Sequence, residues 1–191
     1  TFRFISDANA AFAAMMAEDI DAFSGFPAPE NLPQFEADSR FQVLIGSTEG
    51  ETILSTNNKM PPFDNPLVRQ AVAHAIARQA IIDGAMFGLG TPIGTHFAPH
   101  NPAYVDLTSQ SSFDPDKAKA LLAEAGFADG FETTLAFDLG TKAWAEPMCV
   151  LIQEALAPIG ISVTLEKVPS ANFRGVLVEK SRPMIVNGFG G

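Results

Sequence analysis

Hydrophobic positions in the last third of the chain switch repeatedly between a two-residue and a three-to-four-residue period. Phe131 to Phe137, Ile161 to Val168 and Met184-Ile185-Val186 are short apolar or β-branched runs, the pattern of strands. Between them, Ala143 to Ala157 puts Met148, Leu151, Ile152, Ala155 and Leu156 on one stripe. A segment capped by Ser170 turns Phe173, Val176 and Leu177 to one side, so both stretches predict helices. Gly160 is the stop after the first helix. Two such crossovers place three parallel strands side by side.

Earlier segments carry equally clear terminal signals. Asp114-Pro115-Asp116-Lys117 opens a helix with a cap, a proline in its first turn and early acidic charge; Leu121, Leu122 and Ala125 face inward and Gly126 ends it. Asn65 and Pro66 start a long helix along Val68, Val72, Ala75, Ile76 and Ala80, fraying at Gly84 and closed by Gly88-Leu89-Gly90. Thr91 to Ser112, with Pro92, Pro99 and Pro102, is expected to cross the surface without a regular element. In the first quarter, Phe2 to Ile5, Ile20 to Phe23, Phe41 to Ile45 and Thr52 to Ser55 suit strands. Ser6 or Asp7 caps a helix over Ala8 to Ala17, and Pro27, Pro29 and Pro33 mark an irregular connection. The paired prolines of Asn57-Asn58-Lys59-Met60-Pro61-Pro62-Phe63 set the expected boundary, dividing the chain into residues 1–56 and 57–191.

Composition narrows the function classes. With 191 residues, 47% of them apolar, the chain can bury one ordinary core, and its length suggests one or two compact units. Its 22 acidic against 12 basic residues give a formal charge of -10, the wrong sign for gripping nucleic-acid phosphates or anionic lipid. No apolar run approaches the roughly 20 residues of a membrane span. Cys149 is the single cysteine, so an internal disulfide is excluded. The chain starts without Met or the features of a secretory signal, which leads us to expect cut ends. No repeat or low-complexity tract appears.

Ligands of parallel sheets bind beside the carboxyl ends of the strands. Three segments follow such ends: Asp138 to Lys142, Pro169 to Asn172 and Asn187 to Gly191. They offer a carboxylate at Asp138, a hydroxyl at Ser170, open backbone at Gly188 and Gly190, and an aromatic face at Phe189. Taken singly, Asp138 reads as a turn residue and Ser170 as a helix cap; their convergence is what points to a site. His96 and His100 have metal-ligand spacing only on a helix, which Pro99 and Pro102 oppose. His74 reads as a packed or surface histidine and Cys149 as a buried or half-buried structural thiol, each on a helix, and Gly88-Leu89-Gly90 lacks the lysine of a phosphate loop. An α/β enzyme using Asp138 and a histidine would need convergent acid, base and nucleophile, which no motif supplies.

Three segments in order resemble one family: Asn57 to Ile82, with Pro61-Pro62-Phe63-Asp64, Val68-Arg69-Gln70-Ala71 and Ala75-Ile76-Ala77-Arg78; Phe113 to Phe127; and Ala157-Pro158-Ile159-Gly160-Ile161. Ala17-Glu18-Asp19-Ile20-Asp21 and Gly188-Phe189-Gly190-Gly191 are similar to further family segments. The family is that of the extracellular solute-binding proteins of peptide and nickel ABC importers, family 5. The resemblance implies an α/β, periplasmic binding protein type II-like lobe, with a mostly parallel sheet flanked by helices, in an incomplete two-lobed architecture. Residues 1–56 would be the end of lobe I and the hinge approach, and 57–191 most of lobe II. It further implies capture of a small solute, di- or oligopeptide above nickel, haem or other cargo, and delivery to ABC permease subunits from the periplasm. No catalysis, cofactor or metal is implied, and a monomer is expected. By the same resemblance Gly188, Phe189 and Gly190 touch the ligand, with Phe189 where relatives often carry tryptophan, while Asp138 and Ser170 line the cleft. Arg69 would hold a helix start. A regulatory domain reusing this fold is the remaining alternative.

Overall fold

The structure, a computed structural model, describes residues 1–5, 7–140 and 143–190. Ser6, Thr141, Lys142 and Gly191, which the sequence reading placed in a cap or in rim loops, lie outside the described residues. The chain divides into two compact units, Thr1–Ser47 and Thr48–Gly191. The expected boundary at the paired prolines falls later than this division.

In the first unit, α1 (Ala8–Met16) starts where Asp7 accepts a hydrogen bond from the Ala10 amide at 2.7 Å. The expected strands at Phe2–Ile5, Ile20–Phe23 and Phe41–Ile45 do not form. Their signal was aromatic content, and the unit spends several of these rings on a cluster instead. Phe12, Phe26 and Phe41 all pack on buried Phe35, with centroids 5.0 to 5.3 Å away, and Phe23 meets Phe26 edge to face. The proline-rich connection is more regular than expected: a 3-10 turn at Pro29–Asn31 runs into α2 (Leu32–Glu36). Prolines in a first turn cost no hydrogen bond and arrive with a helical φ.

The second unit is built on four strands, β1 (Glu51–Thr56), β2 (Phe131–Asp138), β3 (Ile161–Val168) and β4 (Met184–Phe189), in the order β1-β4-β2-β3. β4, β2 and β3 are mutually parallel, as the crossover pattern predicts, and β1 lies antiparallel to β4 at the edge. The helices are α3 (Pro66–Ala75), α4 (Arg78–Met86), α5 (Pro115–Glu124), α6 (Ala145–Leu156) and α7 (Ser170–Glu179). Central strand β2 is buried on both faces. Leu135 and Phe137 enter the main core with Phe63, Val68, Leu122, Cys149, Leu156 and Met184. Ala136, on the opposite face, packs with Ile185, Phe173 and Val176 in a smaller core that includes α7. A strand covered on both sides reads as a continuous apolar run, which is how Leu135-Ala136-Phe137 reads.

The predicted long helix is two. Ile76 takes an extended conformation, φ -103° and ψ 113°, between α3 and α4. The break has a tertiary cause: the Asp114 amide donates to the His74 carbonyl at 2.8 Å, and the Ser112 carbonyl lies 2.7 Å from His74 Nδ1. The His74 carbonyl is thereby committed to the start of α5, and the helix does not continue. A 3-10 turn at Thr108–Ser111 likewise stands in the stretch expected to lack regular elements. Arg69 behaves as the resemblance implies, its Nη1 donating to the Phe63 and Asp64 carbonyls at 2.7 and 3.1 Å at the start of α3.

Candidate functional site

β4, β2 and β3 are parallel and β1 opposes them, so the last residues of the first three share an edge with the first residues of β1. The register states this directly, with Asp138 opposite Val168 and Glu51 opposite Phe189. Asp138, Ser170 and Phe189 therefore stand at the same end of the sheet.

Two separate constructions occupy that edge. In the first, buried Asp138 accepts a hydrogen bond from the Ser170 hydroxyl at 2.5 Å and from the Gly140 amide at 3.0 Å through the same Oδ1. The Leu139 amide donates to the Val168 carbonyl at 2.9 Å. The loop after β2 is thus latched to the β3–α7 junction. Ser170 is not the cap expected of it: Pro169 holds the cap position and Ser170 is the first helical residue, its hydroxyl spent on the carboxylate.

The second construction is a recess of about 230 Å³ lined by Gly50, Glu51, Thr52, Trp144, Gly188, Phe189 and Gly190. Ligand pockets for whole small molecules run from about 300 Å³ upward, so this one is sized for a terminus or side chain of a larger solute. Of the five residues singled out in the sequence, Gly188, Phe189 and Gly190 line the recess, while Asp138 and Ser170 belong to the latch. Phe189 is half exposed and free to cover a bound group.

Glu51 and Trp144 were missed. Glu51 sits on the strand assigned to the preceding domain, and only the antiparallel pairing with β4 carries it to this edge. Trp144 precedes α6 and reads in sequence as part of a helix start. A sequence signal did exist for it, as the chain's single tryptophan in a loop after a strand.

Charges around the edge are mostly paired. Glu51 Oε1 lies 2.9 Å from His96 Nδ1, and Glu49 Oε1 lies 2.9 Å from His100 Nε2. The two histidines thus serve separate carboxylates, and among the described residues no group of three or more histidine, cysteine, aspartate or glutamate side chains could hold a metal. Lys167 pairs with Glu146 at 2.6 Å, and Arg182 grips Glu166 through two nitrogens at 2.6 Å, holding that carboxyl below its usual range. Burial, and then the charge of Glu146, push the Cys149 thiol up to about 12, which keeps it protonated near neutral pH.

Glycine backbone, two aromatic side chains and a carboxylate thus gather at the carboxyl edge of a helix-flanked sheet. The chain belongs to the bacterial extracellular solute-binding proteins, family 5, whose middle-region model matches residues 1–191. Among curated relatives, the glutathione-binding protein GsiB of Salmonella choleraesuis (strain SC-B67) is 35% identical over 166 residues, 86% of this chain and 32% of that protein. The chain spans about a third of the length of the curated relatives it matches. Among solved structures, the periplasmic binding protein DppA of Helicobacter pylori, in complex with the peptide STSA, matches with a TM-score of 0.80 at 26% identity, over 99% of this chain and 36% of that one. AgaA of A. tumefaciens R10, in complex with agropinic acid, matches with a TM-score of 0.76 at 31% identity, over 98% of this chain and 38% of that one. The relatives are solute-binding proteins, not enzymes.

Proposed function

We propose that the protein containing this chain captures a peptide-type solute outside the cytoplasmic membrane, in the periplasm, and delivers it to the permease subunits of an ABC importer. The observation that carries this reading is the recess at the sheet's carboxyl edge, with Phe189 and Trp144 beside the Gly188 and Gly190 backbone. Relatives that bind glutathione and the peptide STSA support a peptide-type cargo. Residues 1–56 are assigned to the end of lobe I and the approach to the hinge, with β1 as the strand that enters lobe II, and residues 57–191 to most of lobe II. Solute contacts made by both lobes exist only when the lobes are closed, so binding shifts the population to the closed form. The Asp138–Ser170 latch, with the Leu139 and Gly140 amides, ties the end of β2 to the start of α7 beside the recess.

The test is performed on the full-length parent protein. Mass spectrometry of the protein purified from its host identifies the retained solute. Phe189→Ala weakens binding of that solute by about 1 to 3 kcal/mol through lost ring burial. An unchanged affinity removes Phe189 from the site.

A further inference from the structure

Residues 94–107 form a loop closed at its own base. At Gly94 backbone meets backbone: a Cβ there would lie 2.6 Å from the Leu107 nitrogen and carbonyl carbon and from the Thr108 nitrogen. Within the loop the Asn101 amide donates to the Ala98 carbonyl at 2.9 Å and the Tyr104 amide to the Asn101 carbonyl at 3.0 Å, with Ala98 buried. This is an Ω-loop, compact and joined at its ends. It is fastened to the start of β1 by two histidines on two carboxylates. His96 Nδ1 lies 2.9 Å from Glu51 Oε1, His100 Nε2 lies 2.9 Å from Glu49 Oε1, and the Asn101 side-chain amide donates to Glu49 Oε2 at 3.3 Å. Gly50 stands between those carboxylates, its amide donating to the Thr48 hydroxyl at 3.1 Å, and Gly50, Glu51 and Thr52 form one wall of the recess. Both rings are open to solvent, His96 at 77% and His100 at 50%, and exposed pairs are individually weak. Glu51 Oε2 on β1 and Thr95 Oγ1 in the loop are buried without a hydrogen-bond partner among the described residues, a cost that hydration on release relieves. The fastened loop is therefore held by its histidines against a standing penalty, and removing them tips the balance.

We propose that residues 94–107 are a strap and that His96 and His100 are positioning residues, holding residues 49–51 so that the recess keeps its wall around a bound solute. The histidine spacing that on a helix would suit a metal serves two separate carboxylates instead. For its solute the proposal rests on the peptide-type reading above; for the strap itself it does not.

The experiment pairs hydrogen exchange of the solute-free, full-length parent protein with surface plasmon resonance of the tetrapeptide STSA and of glutathione on the same protein. The double variant His96→Ala, His100→Ala speeds exchange over residues 48–56 about tenfold, each lost pair counting a few-fold, while residues 161–168 of β3 exchange as in wild type. It also releases whichever peptide the wild type binds about tenfold faster, with the association rate held within about twofold. The double variant His96→Asn, His100→Gln places an amide nitrogen where each ring nitrogen stood and stays within about twofold of wild type in both measurements. Unchanged exchange over residues 48–56 in the alanine variant, or an amide variant as fast as the alanine one, overturns the strap. Faster exchange with unchanged peptide release overturns the positioning role and leaves the peptide-type reading standing. A wild-type protein that binds neither peptide overturns that reading, and exchange still decides the strap. Should the double alanine variant fail to fold, His100→Ala alone is read in the same way with a few-fold change expected, and no change overturns the strap.

Discussion

Ser170 offers the sharpest test of how the edge is built, because its two possible roles respond oppositely to one substitution. As a helix cap, Ser170 would be replaced without loss by aspartate, a cap of equal quality, and alanine would cost about 1 kcal/mol. As the donor to Asp138 it behaves otherwise. The hydroxyl meets Oδ1 at 2.5 Å beside a carboxylate that is 8% exposed, and a hydrogen bond to a charged group is worth about 1.5 to 3 kcal/mol. Ser170→Ala therefore destabilises the β2–α7 junction by about that amount, the Gly140 amide retaining its own bond to Asp138. Ser170→Asp sets a second carboxylate against the first. At a separation near 4 Å and an effective dielectric of about 20, that repulsion reaches about 4 kcal/mol. Ser170→Thr keeps the hydroxyl and stays near wild type. Hydrogen exchange of the full-length parent, read on peptides covering residues 131–140 and 170–179, measures the local opening free energy. An aspartate variant as protected as wild type would refute the latch and restore the cap.

Two further predictions concern stability. Gly130 and Gly160, φ 77° and 89°, meet backbone to backbone where β2 and β3 begin, and a Cβ at Gly130 would lie 1.9 Å from the Gly160 carbonyl oxygen. Gly130→Ala costs about 2 to 5 kcal/mol from left-handed strain and forced displacement. Gly175→Ala, inside α7 with open space around it, instead stabilises by about 0.5 to 1 kcal/mol; denaturant midpoints of equal sign would contradict this. The Glu166–Arg182 pair sets a pH dependence. Arg182 lowers the folded-state value of Glu166 from its ordinary 4.5, so its stabilisation is present above that ordinary value and is lost as pH falls through the lower folded value. Arg182→Gln removes up to about 1 kcal/mol near neutral pH, the pair being partly exposed. A wild-type-to-variant difference that grows in acid would be the wrong sign.

Elements with their own terminal chemistry were legible in the sequence. Asp114 and Pro115 fixed the start of α5, Asn65 and Pro66 that of α3, and the apolar runs of β2, β3 and β4 stood where expected. What escaped was decided by partners far along the chain. Ile76 continues an apolar helical stripe, and nothing local announces that Asp114 will take the His74 carbonyl. Phe2 to Ile5 has strand composition, yet a strand also needs a neighbour to pair with, and Phe2 and Phe4 are exposed instead. The candidate site divides in the same way. Gly188, Phe189 and Gly190 follow from strand order, since a glycine-aromatic segment ending a parallel strand must fall at the carboxyl edge. Glu51 depended on β1 running antiparallel to β4, a direction that no periodicity records.

That strand also sets a schedule. β1 leads the second unit in chain order, but its pairing surface on β4 is made only after every helix and strand between them. The growing chain must therefore carry a β-branched segment with an unmet edge for almost the whole translation of this unit. Chains ending before residue 184 therefore leave β1 without its partner, and hydrogen exchange of residues 51–56 in such chains will be fast.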